Sequence, residues 1–161
     1  MNNDASYTRA LDAALRFLAN RPRSEHEIRR RLARLELPDA TLDRVVAQLR
    51  AHHLVDDVAF ARYWVEQRQT FRPRGARLLK AELRQHGVSG ELAAAVADEG
   101  SQAADEDAYR AAHKKARLLA AARPDERVFR TRLAQFLARR GFDWETITPV
   151  VDRLWRELRP S

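Results

Sequence analysis

The chain has 161 residues, no cysteine, 45% hydrophobic residues and a formal net charge of +7. This length and hydrophobic share suit one ordinary packed domain or several very small ones. The lack of cysteine excludes disulfides and thiolate metal sites and favours a cytoplasmic protein. No apolar run approaches the roughly 20 residues that cross a bilayer, and the amino-terminal sequence lacks the pattern of a signal peptide.

Apolar residues recur along the whole chain with the spacing of helices that bury one face. Ser24 and Glu27 have the spacing of a capping box, and Gly87 and Gly141 fall where glycines end helices. The sequence therefore predicts nine helices. In chain order, their buried faces contain Leu11 and Leu15, Ile28 and Leu32, Leu42 and Val46, Phe60 and Trp64, Leu79 and Leu83, Leu92 and Val96, Tyr109 and Ala116, Leu133 and Leu137, and Ile147 and Val151.

The second, fifth and eighth predicted helices repeat one apolar pattern. Ile28 and Leu79 are 51 residues apart, and Leu79 and Leu133 are 54 apart. This periodicity predicts an all-α protein of three tandem three-helix units, with limits at about 1–55, 56–101 and 102–161. A unit of this size buries little surface alone, so we expect the units to stack into an elongated molecule that can curve. One compact nine-helix globule is the alternative.

Positive charge is concentrated in the second helix of each predicted unit, whereas the third helices carry an excess of acidic residues. A helix-turn-helix protein would insert its third helix into the DNA groove, and acidic side chains there would be repelled by phosphate. We therefore do not expect a base-reading protein. The net charge nonetheless favours an acidic or polyanionic partner. The candidate partner- or DNA-binding residues are Arg30, Arg34, Arg74, Arg77, Lys80, Arg84, Arg132, Arg139 and Arg140.

The fifth helix illustrates how these residues are expected to act. At about 100° per residue, Arg77, Lys80 and Arg84 share one stripe beside the apolar face of Leu79 and Leu83. We expect this stripe to be free to meet phosphates or an acidic protein surface. The alternative is that these residues are solvated arginines and lysines that serve solubility alone.

Patterns of catalysis are missing from the sequence. It has neither a glycine-rich phosphate loop nor a dinucleotide fingerprint. His52 and His53 adjoin each other instead of having the i, i+4 spacing that points two imidazoles at one metal. We therefore predict a protein that is not an enzyme, with no catalytic residues, no metal site and no cofactor.

Four aromatic residues of the second unit could stack on nucleic-acid bases. Their helical spacing instead favours positions in the core. They are Phe60, Tyr63, Trp64 and Phe71.

Three short motifs stand out in the chain. They are Ser24, Glu25 and Ile28 in the first, Asp56, Asp57, Phe60 and Ala61 in the second, and Gly75, Leu79, Leu83, Gly87 and Val88 in the third. These motifs resemble the RecX family of bacterial recombinase regulators, and LARRGFDWETITPVV at 137–151 is similar to the family's closing unit. The chain departs from the family pattern at Glu36 and His53, where glycine is common, and at Ile28, which replaces leucine.

The resemblance implies a monomeric, cytoplasmic, non-enzymatic modulator that binds the RecA filament in its helical groove. There it would restrain ATP hydrolysis, strand exchange and co-protease activity, and so act in DNA recombination, DNA repair and the SOS response. It implies no membrane association and only weak nonspecific contact with DNA. One alternative is a sequence-independent nucleic-acid-binding helical protein that acts without RecA. Another is a structural subunit of a larger complex.

Overall fold

The computed structural model describes residues 2–159, and this range contains nine α-helices and no strand. The prediction of an all-α fold is confirmed. The helices are α1 (Asn2–Leu18), α2 (Glu25–Ala33), α3 (Asp39–Ala51), α4 (Asp57–Phe71), α5 (Ala76–Gln85), α6 (Gly90–Gly100), α7 (Ala104–Ala121), α8 (Glu126–Arg139) and α9 (Trp144–Leu158).

Each trio of consecutive helices encloses its own hydrophobic core. We call α1–α3, α4–α6 and α7–α9 the first, second and third units. The second helix of each unit contributes fully buried side chains, such as Leu32, Leu83 and Leu137. Within the described part of the chain, the extensive helix–helix packing lies inside single units. The molecule therefore has three small cores, and the alternative of one nine-helix globule is wrong. The limits 1–55, 56–101 and 102–161 stay a prediction.

The helix starts follow from local side-chain chemistry. The Ser24 hydroxyl accepts a hydrogen bond from the Glu27 backbone at 3.1 Å, and the Glu27 carboxylate accepts one from the Ser24 backbone at 2.9 Å. This is the capping box predicted for α2. At α4, the Asp56 carboxylate accepts from the backbone N–H groups of Val58 and Ala59. These bonds satisfy donors that the first turn of a helix leaves without a partner.

The second helices of the three units stack end to end. The Ser24 hydroxyl at the start of α2 donates to the backbone oxygen of His86 at the end of α5, at 2.5 Å. In the equivalent position, the Gly75 backbone at the start of α5 donates to the backbone oxygen of Arg140 at the end of α8, at 2.8 Å. We call these two contacts the first and second joints. They place the units in series, with the positive end of one helix dipole facing the negative end of the next.

Both joints require glycine directly after the C-cap of the helix that ends at the joint, which is α5 at the first joint and α8 at the second. Gly87 has φ +82°, and a Cβ there would lie 2.1 Å from the Cβ of His26. Gly141 has φ +89°, and a Cβ there would lie 2.5 Å from the Cβ of Leu78. The residue that follows the C-cap region of α2, Glu36, also has a left-handed backbone with φ +52°. The close approach, as well as the backbone angle, therefore selects glycine at the joints.

One of the predicted core aromatics lies outside the core. Phe60 is buried and Trp64 is half-buried beside it, as predicted. Phe71, by contrast, is 79% exposed, so its prediction as a core residue is wrong. It has the right helical phase, seven residues after Trp64, but it is the last residue of α4. The core of the second unit covers this helix only as far as Val65.

We expect Leu83→Ala to lower the free energy of unfolding by roughly 2–5 kcal/mol, because the leucine is fully buried and its loss leaves a cavity. Denaturant titration measures this change. Arg84→Ala, at the exposed neighbouring position, is the control and should change stability by about 0.5 kcal/mol or less. Equal small losses for both variants would contradict the assigned core.

We also expect Gly87→Ala to destabilise the protein by about 2 kcal/mol or more, since alanine meets both a disfavoured backbone angle and the His26 side chain. Gly90→Ala is a matched control, because a Cβ at Gly90 has no neighbour within 4 Å. That control should be neutral or slightly stabilising. Thermal and denaturant unfolding of the two variants compare them directly, and similar stabilities would rule out the close contact at the first joint.

Candidate partner-binding surface

Three of the nine candidate residues are engaged inside the molecule. Arg77 spans the second joint and donates from Nη2 to the backbone oxygen of Ala138 at 2.8 Å. Lys80 lies with its Nζ 3.3 Å from a carboxylate oxygen of Asp98. The stripe on α5 therefore has contacts within the molecule at these two residues, which α8 and α6 supply, and its role in partner binding stays a prediction. The third, Arg74, forms an ion pair with Glu82.

Glu82 is a buried carboxylate, only 8% exposed, at the centre of the second unit. It accepts hydrogen bonds from the Trp64 indole at 2.9 Å and the Arg68 guanidinium at 3.1 Å, in addition to its pair with Arg74. A buried charge needs such partners to remain in the fold. The role of Arg74 inside this network is therefore structural. The sequence contained a signal for it, because Glu82 lies three residues after Leu79 on the apolar face of α5.

Arg140 has two contacts at the second joint. Its backbone oxygen accepts from the Gly75 backbone, and its guanidinium lies against an aromatic ring. Its guanidinium carbon lies 4.9 Å from the centre of the Phe136 ring. Burial lowers the pKa of Arg140, and the nearby charge of Arg72 lowers it further. Burial likewise lowers the pKa of Arg74, with additional repulsion from Arg68, Arg72 and Arg140. Positive charge is therefore concentrated around Arg74 and Arg140 at this joint.

The remaining five candidates are exposed on the three stacked helices, and the described residues contain no ion-pair partner for any of them. These free arginines are Arg30, Arg34, Arg84, Arg132 and Arg139. Helices α2, α5 and α8 have 9, 10 and 14 residues. At about 1.5 Å per residue, the three helices have a combined length of roughly 50 Å, and the free arginines lie between Arg132 in α8 and Arg34 directly after α2.

The candidate set omitted two arginines of the stacked helices, Arg31 and Arg127, which are exposed and have no ion-pair partner among the described residues. Arg31 is exposed and lines a groove on the first unit together with Phe17, Glu27, Arg30 and Arg34. The guanidinium carbon of Arg31 lies 5.8 Å from the centre of the Phe17 ring. The run of arginines in α2 is visible in the sequence, but the groove depends on how α1 packs beside α2. This groove extends the basic surface at the first end of the series.

The first joint also contains a network of charged side chains. The Glu27 carboxylate accepts from Arg21 at 2.7 Å and lies 3.0 Å from Nδ1 of His86. The Asp57 carboxylate accepts from the Glu25 backbone at 2.9 Å and so links α4 to the start of α2. Burial raises the pKa of Glu27, but hydrogen bonds from Arg21, the Ser24 backbone and His86 outweigh it, and the pKa lies below its usual range.

The second joint has a comparable polar link outside the stacked helices. The Gln69 side chain donates to the buried carboxylate of Asp107 at 2.9 Å. Its oxygen accepts from the Arg74 backbone at 2.9 Å, and Arg110 donates to the Gln69 backbone oxygen at 2.8 Å. Gln69 therefore links the end of α4 to the start of α7 through hydrogen bonds.

Within residues 2–159, no group of three or more histidine, aspartate or glutamate side chains is placed to hold a metal ion. No helix in this range is long and apolar enough to span a membrane.

Three stacked three-helix units with a basic surface define a tandem helical-repeat protein. Models of the first, second and third three-helix domains of RecX match residues 10–49, 56–96 and 104–151. The Regulatory protein RecX of Prosthecochloris aestuarii is 35% identical over 152 residues, which cover 94% of this chain and 97% of that protein. The chain belongs to the RecX family.

Other relatives agree. The Regulatory protein RecX of Geobacillus kaustophilus is 37% identical over 145 residues, or 89% of this chain, and the match spans only 53% of that longer protein. The crystal structure of RecX from Lactobacillus salivarius has a TM-score of 0.82 at 19% identity, covering 94% of this chain and 97% of that one. This second comparison confirms the fold alone.

The lowered pKa of Glu27 predicts how stability depends on pH. Because the folded state holds this pKa below the unfolded value of about 4.3, its contribution is complete above that value and is lost as the pH falls through the folded pKa. Glu27→Gln should therefore show a smaller loss of stability than the unchanged protein between pH 5 and pH 3. Denaturant titration across this range measures the effect. Glu66→Gln, at an exposed position of α4, is the control, and identical slopes for all three proteins would refute the prediction.

Proposed function

We propose that the chain binds the RecA filament on DNA and restrains its ATP hydrolysis, strand exchange and co-protease activity. The observation that carries this proposal is the set of free arginines on three helices stacked end to end. A series of three basic helices with a combined length of roughly 50 Å suits a partner that presents acidic surface repeatedly along an axis. The name of the relatives, Regulatory protein RecX, supports a regulatory role rather than an enzymatic one.

The proposal divides the candidate residues into two roles. Arg30, Arg34, Arg84, Arg132 and Arg139 would contact the filament directly, because their charges are not used inside the fold. The others, which are Arg74, Arg77, Lys80 and Arg140, would act mainly by holding the units in their relative positions. The Lys80 pair is exposed and therefore weak, so this lysine can also turn toward a partner.

The proposal includes a monomer that acts in the cytoplasm without a cofactor. Its contact with DNA would be weak and nonspecific, and the filament would be the main target in recombination, repair and the SOS response. The second candidate function is sequence-independent nucleic-acid binding without RecA, which the free arginines would also serve. Filament binding requires the assembled recombinase, whereas direct DNA binding occurs without it and weakens steeply with salt.

The decisive experiment measures DNA-dependent ATP hydrolysis by RecA in the presence of substoichiometric amounts of the protein. Inhibition at less than one molecule per RecA subunit supports filament binding. If inhibition appears only at protein concentrations that coat the free DNA, and a longer DNA relieves it, the second candidate is correct.

We expect the triple variant Arg30→Glu, Arg84→Glu and Arg139→Glu to inhibit RecA at least tenfold less effectively, because attraction becomes repulsion in all three units. Its stability should change little, since each residue is exposed. The matched control is Arg16→Glu, Lys115→Glu and Arg117→Glu, which makes the same charge change at exposed positions outside the stacked helices. Melting temperatures verify that both variants fold.

Equal inhibition by the triple variant and the unchanged protein would reject the free arginines as the binding surface. Equal loss in the two variants would show that only total charge matters, which would also contradict the assigned surface.

A further inference from the structure

The groove between α1 and α2 on the first unit concentrates positive charge in a small space. It has a volume of about 240 Å³, and its lining residues are Phe17, Glu27, Arg30, Arg31 and Arg34. The three arginines are exposed, and no acidic side chain among residues 2–159 pairs with any of them. Arg34 is three and four positions after the other two, which places all three on neighbouring turns of one helix.

Glu27 does not neutralise the arginines of the groove, although it is part of the lining. Its carboxylate accepts from the Arg21 guanidinium at 2.7 Å and from the Ser24 backbone at 2.9 Å. Nδ1 of His86 lies 3.0 Å from the same carboxylate. The charge of Glu27 is therefore satisfied at the first joint, and the groove keeps an excess of positive charge that a molecule from outside can neutralise.

The aromatic ring of the groove is already in contact with guanidinium groups. The guanidinium carbon of Arg23 lies 3.9 Å from the centre of the Phe17 ring, and Arg23 Nε donates to the Phe17 backbone oxygen at 3.1 Å. Arg31 approaches the same ring, at 5.8 Å. A nucleobase needs an open aromatic face on which to stack, so this ring is poorly suited to a base. It instead adds apolar surface to that of the arginine stems.

The size and chemistry of the groove favour a peptide as its occupant. Pockets for drug-sized molecules have volumes of roughly 300–1,000 Å³, so this smaller groove suits one or two side chains, and a flat folded surface cannot enter it. Guanidinium groups bind carboxylates through two parallel hydrogen bonds. An extended peptide places alternate side chains on one side, about 7 Å apart, and so offers carboxylates and apolar groups in close succession.

We propose that the groove between α1 and α2 binds an acidic peptide segment of the partner. Carboxylates of the segment pair with Arg30, Arg31 and Arg34, and an apolar side chain of the segment lies against Phe17. We call this the peptide groove. The proposal rests on the proposed function, since the filament is the partner that supplies the segment. It adds that the first unit contacts protein rather than nucleic acid through this groove.

The test measures, by fluorescence anisotropy, binding of the full chain to a short labelled peptide with the repeat Glu-Glu-Leu, without RecA or DNA. Two altered peptides separate the contribution of charge from that of the apolar contact. Glutamine in place of glutamate should abolish binding, because the ion pairs are lost. Glycine in place of leucine should weaken binding about fivefold, because the contact with Phe17 is lost.

The triple variant Arg30→Gln, Arg31→Gln and Arg34→Gln should bind the Glu-Glu-Leu peptide about tenfold less tightly, since each exposed ion pair contributes roughly two- to threefold. The matched control is Lys114→Gln, Lys115→Gln and Arg117→Gln, which removes three exposed, closely spaced cations of α7. This control should bind the peptide within about twofold of the unchanged protein. Glutamine is a good helix former, and melting temperatures verify that both variants fold.

Labelled oligothymidine tests nucleic acid as the occupant. The groove variant should lose no more oligothymidine affinity than the α7 control, because loss of charge alone weakens phosphate binding in both. A larger loss in the groove variant overturns the proposal in favour of nucleic acid. The proposal is also overturned if the unchanged protein fails to bind the peptide, if both triple variants lose peptide affinity equally, or if the leucine and glycine peptides bind equally well.

The outcome is distinguishable from that of the proposed function. Inhibition of RecA by the unchanged protein, without binding of the peptide, rejects the peptide groove and leaves the proposed function in place. Binding of the peptide through the three arginines, without inhibition of RecA, supports the groove and rejects the filament as the source of the segment.

Discussion

The hydrogen bond between the start of one second helix and the end of the next is the contact on which the whole arrangement depends. Each helix end leaves backbone groups without intrahelical partners. The backbone oxygens of His86 and Arg140 accept from the Ser24 hydroxyl and the Gly75 backbone N–H, so carbonyl groups at the end of one helix also connect two units. The units can therefore keep small separate cores and still be joined to one another, because each joint combines the contact between helix ends with a second polar contact beside it.

The joints also decide which charges remain available. Arg77 and Arg140 belong to the most basic helices, yet the second joint uses a side-chain donor of one and the backbone oxygen of the other. Arg84 and Arg139 lie within two residues of a joint and still keep their charge exposed, as Arg132 does farther along α8. The net charge of a helix is therefore a poor guide to how many of its arginines can bind a partner. Some arginine side chains are already hydrogen-bonded to acceptors within the molecule, and others are brought together at a joint.

Much of the fold is predictable from the sequence because it is encoded locally. Apolar periodicity predicts the helices, the capping box predicts the start of α2, and glycines predict two helix ends. The contacts that the sequence does not predict join residues that lie far apart along the chain. The partners of Arg77 and Glu27 lie about 60 positions away, on helices of another unit. Phe71 has the helical phase of a core residue, but the core of the second unit covers α4 only as far as Val65, which the sequence does not show.

The left-handed backbone of Glu36 has a consequence for self-assembly. A head-to-tail contact that joins like units inside one chain is also suited to join separate copies, and such contacts that do not close produce filaments. After the C-terminal end of α2, however, Glu36 occupies the position that Gly87 and Gly141 have at the joints, where a Cβ would clash. Arg9 already donates to the backbone oxygen of the neighbouring Leu35 at 3.1 Å. This end of the series is closed to another helix start in the geometry of the joints, much as terminal repeats protect other solenoid proteins from open-ended growth.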